Sequence, residues 1–229
     1  MPRPVPAPGA ADDDLVRAAR AMGVRDERLL SAIRDTPRAR FVPAAYVSAA
    51  GTDTPVPLGH GQVTTQPSLV ALMIHALALN GDERVLEIGT GYGYQTALLA
   101  RLAARVVSVE RLPDLARRAR ANLAAQGVRN AEVVVGDGTL GLPDQAPYDA
   151  VVVCAAHPEV PPPLVTQLRP GGRLVQPIGP GGAEEVEVYE RSERGLDRLG
   201  FVVAARFVRL YGAHGFPSEA APLTPRGGP

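Results

Sequence analysis

The sequence contains no lysine and no tryptophan, and it has only one cysteine and four histidines among 229 residues. A single thiol has no partner for a disulfide, and without a Cys/His cluster there is no support for a zinc site. The formal net charge is zero, so there is no electrostatic footprint for nucleic acid or an anionic membrane. No apolar run approaches the roughly 20 residues of a membrane span, and the start lacks the apolar region of a signal peptide. We therefore expect a cytoplasmic protein without a metal, nucleic-acid or membrane partner.

Length and composition predict a single domain. A chain of 229 residues that is 45% hydrophobic is long enough for one well-filled α/β domain and short for two. Residues 1–12 are rich in proline and alanine, and we expect them and residues 217–229 to be disordered tails. The domain is then expected to span residues 13–216 and to be a monomer.

The order of predicted elements indicates the fold class. Three helices are predicted before residue 80, and strands and helices then alternate, which is typical of a parallel sheet covered on both faces. Two last strands are predicted as an antiparallel edge addition whose order stays open. The fold is expected to be α/β with a doubly wound, mostly parallel seven-stranded sheet and N-terminal helices. The predicted helices cover residues 15–22, 28–33, 68–79, 93–103, 113–126 and 162–168, and the predicted strands cover 84–88, 105–110, 131–135, 149–154, 172–178, 186–190 and 201–210.

A stretch of about thirty residues, 37–67, has many helix breakers and little periodicity. Irregular segments of this length in compact domains are uncommon and usually functional. We expect it to wrap over a binding site.

The most informative segment is an apolar run that ends in Gly89, Gly91 and Gly93 and leads into a helix. Such a turn brings bare backbone N–H groups and a helix N-terminus to one point, where a ligand can lie against the main chain. A dinucleotide fold would need a further glycine at Tyr94, and Glu87, expected to face the ligand, would repel a pyrophosphate. S-adenosylmethionine, which is cationic and has no phosphate, fits better, and the pattern resembles the first motif of the class I methyltransferases. The alternative is an ordinary turn in an unrelated α/β protein.

Polar residues follow the next two predicted strands in the order that one cofactor needs. Glu110 is placed to accept both ribose hydroxyls, and Asp137 with Gly138 is placed to meet the adenine edge. The alternatives are a solvated strand end and a glycine-rich turn without a ligand. Ala155 and Ala156 close the fourth strand, where small side chains leave room for a substrate.

At this point the chain resembles a specific family, the protein-L-isoaspartate (D-aspartate) O-methyltransferases, from about residue 29 to 210. The resemblance implies a Rossmann-like class I methyltransferase that esterifies the α-carboxylate of isoaspartyl residues in peptides and proteins with S-adenosylmethionine, releasing S-adenosylhomocysteine and starting repair through a succinimide. The segments that carry it are residues 57–67, 85–95, 136–141, 146–149 and 170–179.

The resemblance also implies site residues before the third helix. It makes Val63 and Thr64 cofactor contacts and Thr65 the catalytic residue. The family usually has serine at position 65, and threonine keeps the hydroxyl while adding a methyl group and a stiffer χ1.

Three residues are expected on the substrate side. They are His60, for which a plain loop histidine is the alternative, Ala156 and Arg206. Arg206 belongs to a segment that resembles a substrate-side strand of the family, but this chain has Arg209 where proline is usual.

Two other functions stay open on the sequence. A relative of the family could methylate ordinary aspartate in a dedicated peptide precursor, a reading that Thr65 and Arg209 keep open. A third reading is a cofactor-binding adaptor that has lost catalysis, against which the intact Glu87, Glu110 and Asp137 argue.

Overall fold

The structure, a computed structural model, describes residues 10–217. It contains a seven-stranded sheet of order β5-β4-β3-β6-β7-β8-β9 and a separate two-stranded hairpin, β1-β2. The helices are α1 (Ala10–Ala21), α2 (Glu27–Arg34), α3 (Pro67–Ala76), α4 (Tyr94–Leu102), α5 (Pro113–Ala125) and α6 (Pro162–Gln167). The strands are β1 (Pro57–Gly59), β2 (Gln62–Val63), β3 (Arg84–Ile88), β4 (Arg105–Glu110), β5 (Ala131–Val135), β6 (Tyr148–Val153), β7 (Leu168–Ile178), β8 (Glu184–Ser192) and β9 (Gly195–Ala205).

The central strands form because they are apolar on both faces, as a parallel sheet between two helical layers requires. Their register is parallel and aligned, with Ile88 opposite both Val109 and Val153. The carboxyl ends of β3, β4 and β6 therefore end at one edge of the sheet, where ligands bind in open α/β folds. The predicted seven-stranded, mostly parallel sheet is confirmed.

The helices at the start of the chain pack on one face of this sheet. Asp26 caps α2 by accepting hydrogen bonds from the backbone N–H groups of Arg28 and Leu29. The buried side chains of α1 and α2 join those of α3 and α4 in the larger of two apolar clusters that cover the sheet. None of the helices in the described part of the chain is long and apolar enough to cross a bilayer.

The N-terminal boundary differs from the prediction. Helix α1 begins at Ala10, so residues 10–12 are helical and not part of a disordered tail. The aspartates at positions 12 and 13 lie in its first turn, where acidic side chains interact favourably with the helix dipole. The rest of that tail, residues 1–9, and residues 218–229 lie outside the described residues.

The end of the sheet also differs from the prediction. Strand β8 is antiparallel to both of its neighbours, β7 and β9, as predicted for the edge. However, β9 covers Gly195–Ala205 and not residues 201–210. The chain leaves the sheet after Ala205, and the Phe207 N–H donates to the Glu184 carboxylate at 2.7 Å. The following residues pair with Ala156 beyond the end of β6. Residues 206–210 thus cross the carboxyl edge of the sheet.

The irregular segment, residues 37–67, is tied down by a buried arginine. The Arg38 guanidinium is 1% exposed and donates to the carbonyl oxygens of Ala50, Thr52 and Thr54 and to the Thr64 hydroxyl, at 2.8–3.2 Å. Four acceptor oxygens from different places in the segment therefore bind one side chain, which fixes the path of the irregular segment.

Candidate active site

A cavity opens at the carboxyl ends of β3, β4 and β6 and encloses about 910 Å³, including its open mouth. Its walls come from three separate parts of the chain: the irregular segment, the strand ends with their following turns, and the crossing segment after β9. The lining residues include Phe41, Leu58, Gln62, Val63, Thr64, Thr65, Gly89, Gly91, Tyr94, Gln95, Glu110, Arg111, Gly138, Cys154, Arg209 and Tyr211.

The glycine turn after β3 forms the floor of the cavity. Gly89 and Gly91 have φ of +96° and +57°, a region that favours glycine. A Cβ on Gly89 would lie 3.2 Å from the Cβ of Cys154, so a side chain there would crowd the end of β6. The turn ends at Gly93, the N-cap of α4. The cavity therefore has a wall of bare main chain, as predicted.

Glu110 lines the cavity with a carboxylate whose orientation is fixed. One oxygen accepts from the Gly91 N–H at 2.9 Å and the other from the Leu112 N–H at 3.0 Å. Each carboxylate oxygen retains a further lone pair. Glu110 can therefore still accept hydrogen bonds from a pair of hydroxyl groups, which is the arrangement expected for a ribose.

Glu87 does not face the cavity, contrary to the prediction. It is fully buried on the α4 side of β3, where one carboxylate oxygen accepts from the hydroxyls of Thr96 and Ser108. Burial raises its pKa to about 7, although hydrogen bonds from Ser108, Thr96 and Gln95 oppose that rise. Side chains alternate along a strand, so Glu87 points to the same face as Val85. When Glu87 is ionised, its negative charge raises the pKa of the cavity-lining Cys154 from outside the cavity.

Two polar atoms in the cavity wall are buried without a hydrogen-bond partner. They are Gln95 Oε1 and the Tyr94 hydroxyl, on residues that are 7% and 6% exposed. Buried polar atoms in folded proteins are nearly always satisfied, by protein, water or ligand. Both atoms have almost no accessible surface, so they lie inside the wall and not at the face that a ligand in the open cavity would touch.

The thiol of Cys154 also lines the cavity and is kept neutral. Burial raises the pKa of Cys154 well above its ordinary value, and the nearby Glu87 charge adds to the effect. Its sulfur accepts a hydrogen bond from the Gln95 amide at 3.0 Å. Since the thiolate is the nucleophilic form of cysteine, this thiol does not compete for an electrophile bound in the cavity.

Asp137 and Gly138, which are adjacent in the chain, differ in their position relative to the cavity. Gly138 lines the cavity, but Asp137 lies outside its lining. Burial acts to raise the pKa of Asp137, and hydrogen bonds from the Ala213 N–H and from the Thr139 hydroxyl and N–H outweigh it, so the pKa is lowered. The Asp137 carboxylate therefore holds the C-terminal segment against the turn after β5, and Gly138 is the member of this pair that lines the cavity.

The threonines at positions 64 and 65 have different environments. The Thr64 hydroxyl is bound by Arg38 and by the Val56 N–H, at 2.9 Å each. The Thr65 hydroxyl has no hydrogen-bond partner among the described residues. Thr65 and Val63 line the cavity and also a second groove that opens to solvent. Thr65 is thus free to contact a ligand from either side.

The three predicted substrate-side residues lie in different places. His60, in the β1–β2 turn, lines a groove that continues the cavity, and its Nε2 is 3.9 Å from an Asp114 oxygen. Arg206 lines the second groove beside Thr65. Ala156 is fully buried and pairs through its backbone with Val208 and with Leu210. The expectation that Ala156 leaves room for substrate is wrong, because the crossing segment covers it, whereas its neighbour Ala155 lines the cavity.

The comparisons with known proteins decide the family. The model of the protein-L-isoaspartate (D-aspartate) O-methyltransferase family matches residues 10–215. The chain belongs to this family. A protein-L-isoaspartate O-methyltransferase of Methanoculleus marisnigri is 53% identical over 205 residues, which is 89% of this chain and 92% of that protein.

Solved structures agree with this membership. A protein-L-isoaspartate O-methyltransferase structure is 30% identical, covers 89% of this chain and 67% of its own, and has a TM-score of 0.78. A Plasmodium falciparum structure assigned to the same family, in complex with S-adenosyl-L-homocysteine, has a TM-score of 0.76 at 22% identity and covers 89% of this chain and 99% of its own. This likeness confirms the class I S-adenosylmethionine-dependent methyltransferase fold.

Several residues that form or support the candidate site were not singled out from the sequence. Arg38, Tyr94 and Gln95 carry no signal in a single sequence, because their roles depend on contacts with distant parts of the chain. Arg111 had a weak signal, since it directly follows Glu110 at the end of β4. Within residues 10–217 no group of three or more His, Cys, Asp or Glu side chains is arranged to hold a metal ion.

Proposed function

We propose that the chain binds S-adenosylmethionine in this cavity and transfers its methyl group to the α-carboxylate of L-isoaspartyl residues in damaged peptides and proteins, which starts their repair through a succinimide. The observation that carries the proposal is the position of Thr65. Its hydroxyl is without a partner among the described residues, and Thr65 lines both the cavity and the second groove. A peptide carboxylate entering by that groove reaches the cavity at Thr65.

The bound cofactor would supply an electrophilic methyl group on a sulfonium, and the transfer would leave neutral S-adenosylhomocysteine and a methyl ester. The substrate carboxylate is already ionised at neutral pH, because free aspartyl carboxyls have a pKa near 3.9. No general base is therefore required. The protein has to align a carboxylate oxygen with the methyl carbon and exclude water, and such positioning can supply about 7–11 kcal/mol.

Each part of the cavity has a role in that alignment. The main chain at Gly89, Gly91 and Gly138 lets the cofactor lie against the turns, and the Glu110 carboxylate accepts its ribose hydroxyls. Thr65 donates a hydrogen bond to the substrate carboxylate and fixes its direction. Val63 and Thr64 contact the cofactor from the opposite wall, where Thr64 is held by Arg38.

The test uses labelled S-adenosylmethionine and paired peptides that carry isoaspartate or aspartate at one position. Base-labile methyl ester on the isoaspartyl peptide alone is the expected result. Ester on the aspartyl peptide would indicate the precursor-modifying reaction. Ester on neither, with S-adenosylhomocysteine still bound in calorimetry, would indicate a cofactor-binding adaptor and would refute the proposal.

The proposal includes a monomer that acts in the cytoplasm on isoaspartyl peptides and proteins, without nucleic acid or a membrane. The zero net charge and the single cysteine support it. Light scattering coupled to size exclusion should give one chain mass near 24.0 kDa. A stable dimer at micromolar concentration would contradict the monomer.

A further inference from the structure

A basic groove continues from the open end of the cofactor cavity. The groove and the cavity share five residues, among them Arg111, Arg209 and Tyr211, so a ligand can pass from one into the other. None of the described residues that line the groove is acidic. They are His60, Gly61, Gln62, Arg111, Gly181, Gly182, Phe207, Val208, Arg209 and Tyr211.

Aromatic rings, and not carboxylates, hold the two arginines of this groove. The guanidinium carbon of Arg111 lies 5.1 Å from the centre of the Tyr211 ring, and that of Arg209 lies 5.1 Å from the centre of the Phe216 ring. A cation–π contact fixes a guanidinium without neutralising it. Neither arginine forms an ion pair with any residue between 10 and 217. Their positive charge is therefore available to a ligand.

Arg209 is further fixed by the backbone beneath it. A Cβ on Gly181 would lie 2.8 Å from Arg209 Cγ and 2.9 Å from its Nε. The absence of a side chain at Gly181 thus leaves the space that the Arg209 stem occupies. A side chain packed in this way loses less conformational entropy when it binds a partner.

The second groove, beside Thr65, has a different character. Its lining is mostly apolar, with Met22, Leu69, Val203 and Phe207, and Arg206 is its one charged residue among those described. The cavity that Thr65 lines therefore adjoins both this mostly apolar groove and the groove that holds the two unpaired arginines.

We propose that Arg111 and Arg209 make this protein selective for substrates with an acidic side chain within a few residues of the isoaspartyl residue, on one flank only. The inference rests on the proposed function and adds the sequence context of its substrate. The acidic side chain lies in the basic groove between the two guanidinium groups, while the apolar flank lies along the second groove.

The experiment measures methyl ester formation on synthetic isoaspartyl peptides whose other residues are neutral. Glutamate, glutamine or lysine is placed two residues before or two residues after the isoaspartate. On one flank, KM for the glutamate peptide should be about two- to fivefold lower than for the glutamine peptide, the range for a solvent-exposed ion pair, and the lysine peptide should have the highest KM. On the other flank the KM values for the glutamate, glutamine and lysine peptides should agree. Raising the salt concentration should reduce the difference.

Variants assign the selectivity to residues. Arg209→Gln and Arg111→Gln should each bring the glutamine-to-glutamate KM ratio closer to one, and the double variant should abolish it. Arg129→Gln is the matched control, because Arg129 is also exposed and makes no ion pair among the described residues but lies outside both grooves. This control should keep the parental ratio.

The outcomes separate the two proposals. Equal KM values for glutamate and glutamine peptides on both flanks, with isoaspartyl peptides still methylated, would overturn the selectivity and leave the proposed function intact. The selectivity would also be overturned if Arg129→Gln lowered the glutamine-to-glutamate KM ratio as much as Arg209→Gln does. If no isoaspartyl peptide were methylated, the proposed function itself would fail, and the inference with it.

Discussion

At the scale of single residues, substitution tests the proposed hydrogen bond from the Thr65 hydroxyl to the substrate carboxylate. We expect Thr65→Ser to keep most of the activity, because the donor remains, and Thr65→Ala to lose it. A hydrogen bond to a charged group contributes about 1.5–3 kcal/mol, which corresponds to roughly a 10- to 150-fold drop in kcat/KM at about 1.4 kcal/mol per tenfold. Initial rates on an isoaspartyl peptide measure this. An alanine variant as active as the parent would show that the hydroxyl has no catalytic role.

Glu87 makes stability depend on pH in an unusual direction. Its pKa is about 7 in the folded protein, against 4.5 as the ordinary value. Between these values the folded state binds a proton that the unfolded state has released, so stability falls as pH rises through this window. Above pH 7 Glu87 is ionised in both states, and its burial then lowers the free energy of unfolding by at most about 3 kcal/mol.

We therefore expect Glu87→Gln, which stays neutral, to be more stable than the parent at pH 8 and to lose that advantage near pH 4.5. Calorimetric Tm values of both proteins across this range provide the measurement. Two parallel Tm curves would show that Glu87 does not titrate in the window.

At the scale of elements, the irregular segment depends on Arg38. Leaving a buried acceptor without its hydrogen bond costs about 1–3 kcal/mol, and a lysine cannot reproduce the guanidinium fork that reaches four acceptors. We expect Arg38→Lys to lower the Tm by several degrees and to speed proteolysis within residues 37–67.

The matched control for Arg38 is Arg40→Lys. Arg40 lies in the same 3-10 turn but is exposed, and its side chain has no hydrogen bond or ion pair among the described residues. It should behave as the parent. Equal loss of stability in both variants would mean that the carbonyl contacts of Arg38 do not hold the segment.

The turn after β5 has no room for a side chain at Gly138. A Cβ there would lie 2.4 Å from Ile88 Cγ2, so the end of β3 or the turn must shift. Such overpacking typically costs about 1–3 kcal/mol. Gly138→Ala should lower the Tm and weaken S-adenosylhomocysteine binding in calorimetry, because Gly138 lines the cavity.

Gly136→Ala is the control for Gly138. A Cβ at Gly136 would meet its nearest neighbour, Val109 Cγ1, at an ordinary 3.7 Å. It should leave both measurements close to the parental values. If Gly138→Ala bound S-adenosylhomocysteine as tightly as Gly136→Ala, the turn would not form part of the cofactor wall.

The sequence allowed most elements of the sheet to be predicted, because buried parallel strands are short apolar runs bounded by turn residues. It misplaced the strand after residue 200, since Phe207, Val208 and Leu210 have the composition of a strand. Their path is decided by the Glu184 carboxylate and by Ala156, distant residues that no local pattern reveals. Strand β3 is buried on both faces, so its sequence did not show which face Glu87 joins. The position of Asp137 depends on its hydrogen bond from the distant Ala213 N–H.

At the scale of the whole molecule, the cavity couples cofactor binding to folding, because its walls come from distant parts of the chain. A ligand that binds only the folded state stabilises it by about 2.7 kcal/mol at one hundred times its Kd. For a domain of 150–250 residues each kcal/mol shifts Tm by about 2–4 °C.

We expect S-adenosylhomocysteine at that concentration to raise the Tm by roughly 5–11 °C. Differential scanning fluorimetry with and without the ligand measures the shift, and adenosine at the same concentration is the comparison. No shift with S-adenosylhomocysteine would contradict the assignment of the cavity.

The antiparallel hairpin formed by β8 and β9 has a consequence for the order in which the site is made. It returns the chain so that residues 206–211 cross the carboxyl edge of the sheet and complete the cavity. Synthesis proceeds from the N-terminus, so the glycine turn and Glu110 emerge from the ribosome about a hundred residues before Arg209 and Tyr211. The residues of the glycine turn and Glu110 are therefore synthesised well before the residues of the wall that is proposed to meet the substrate.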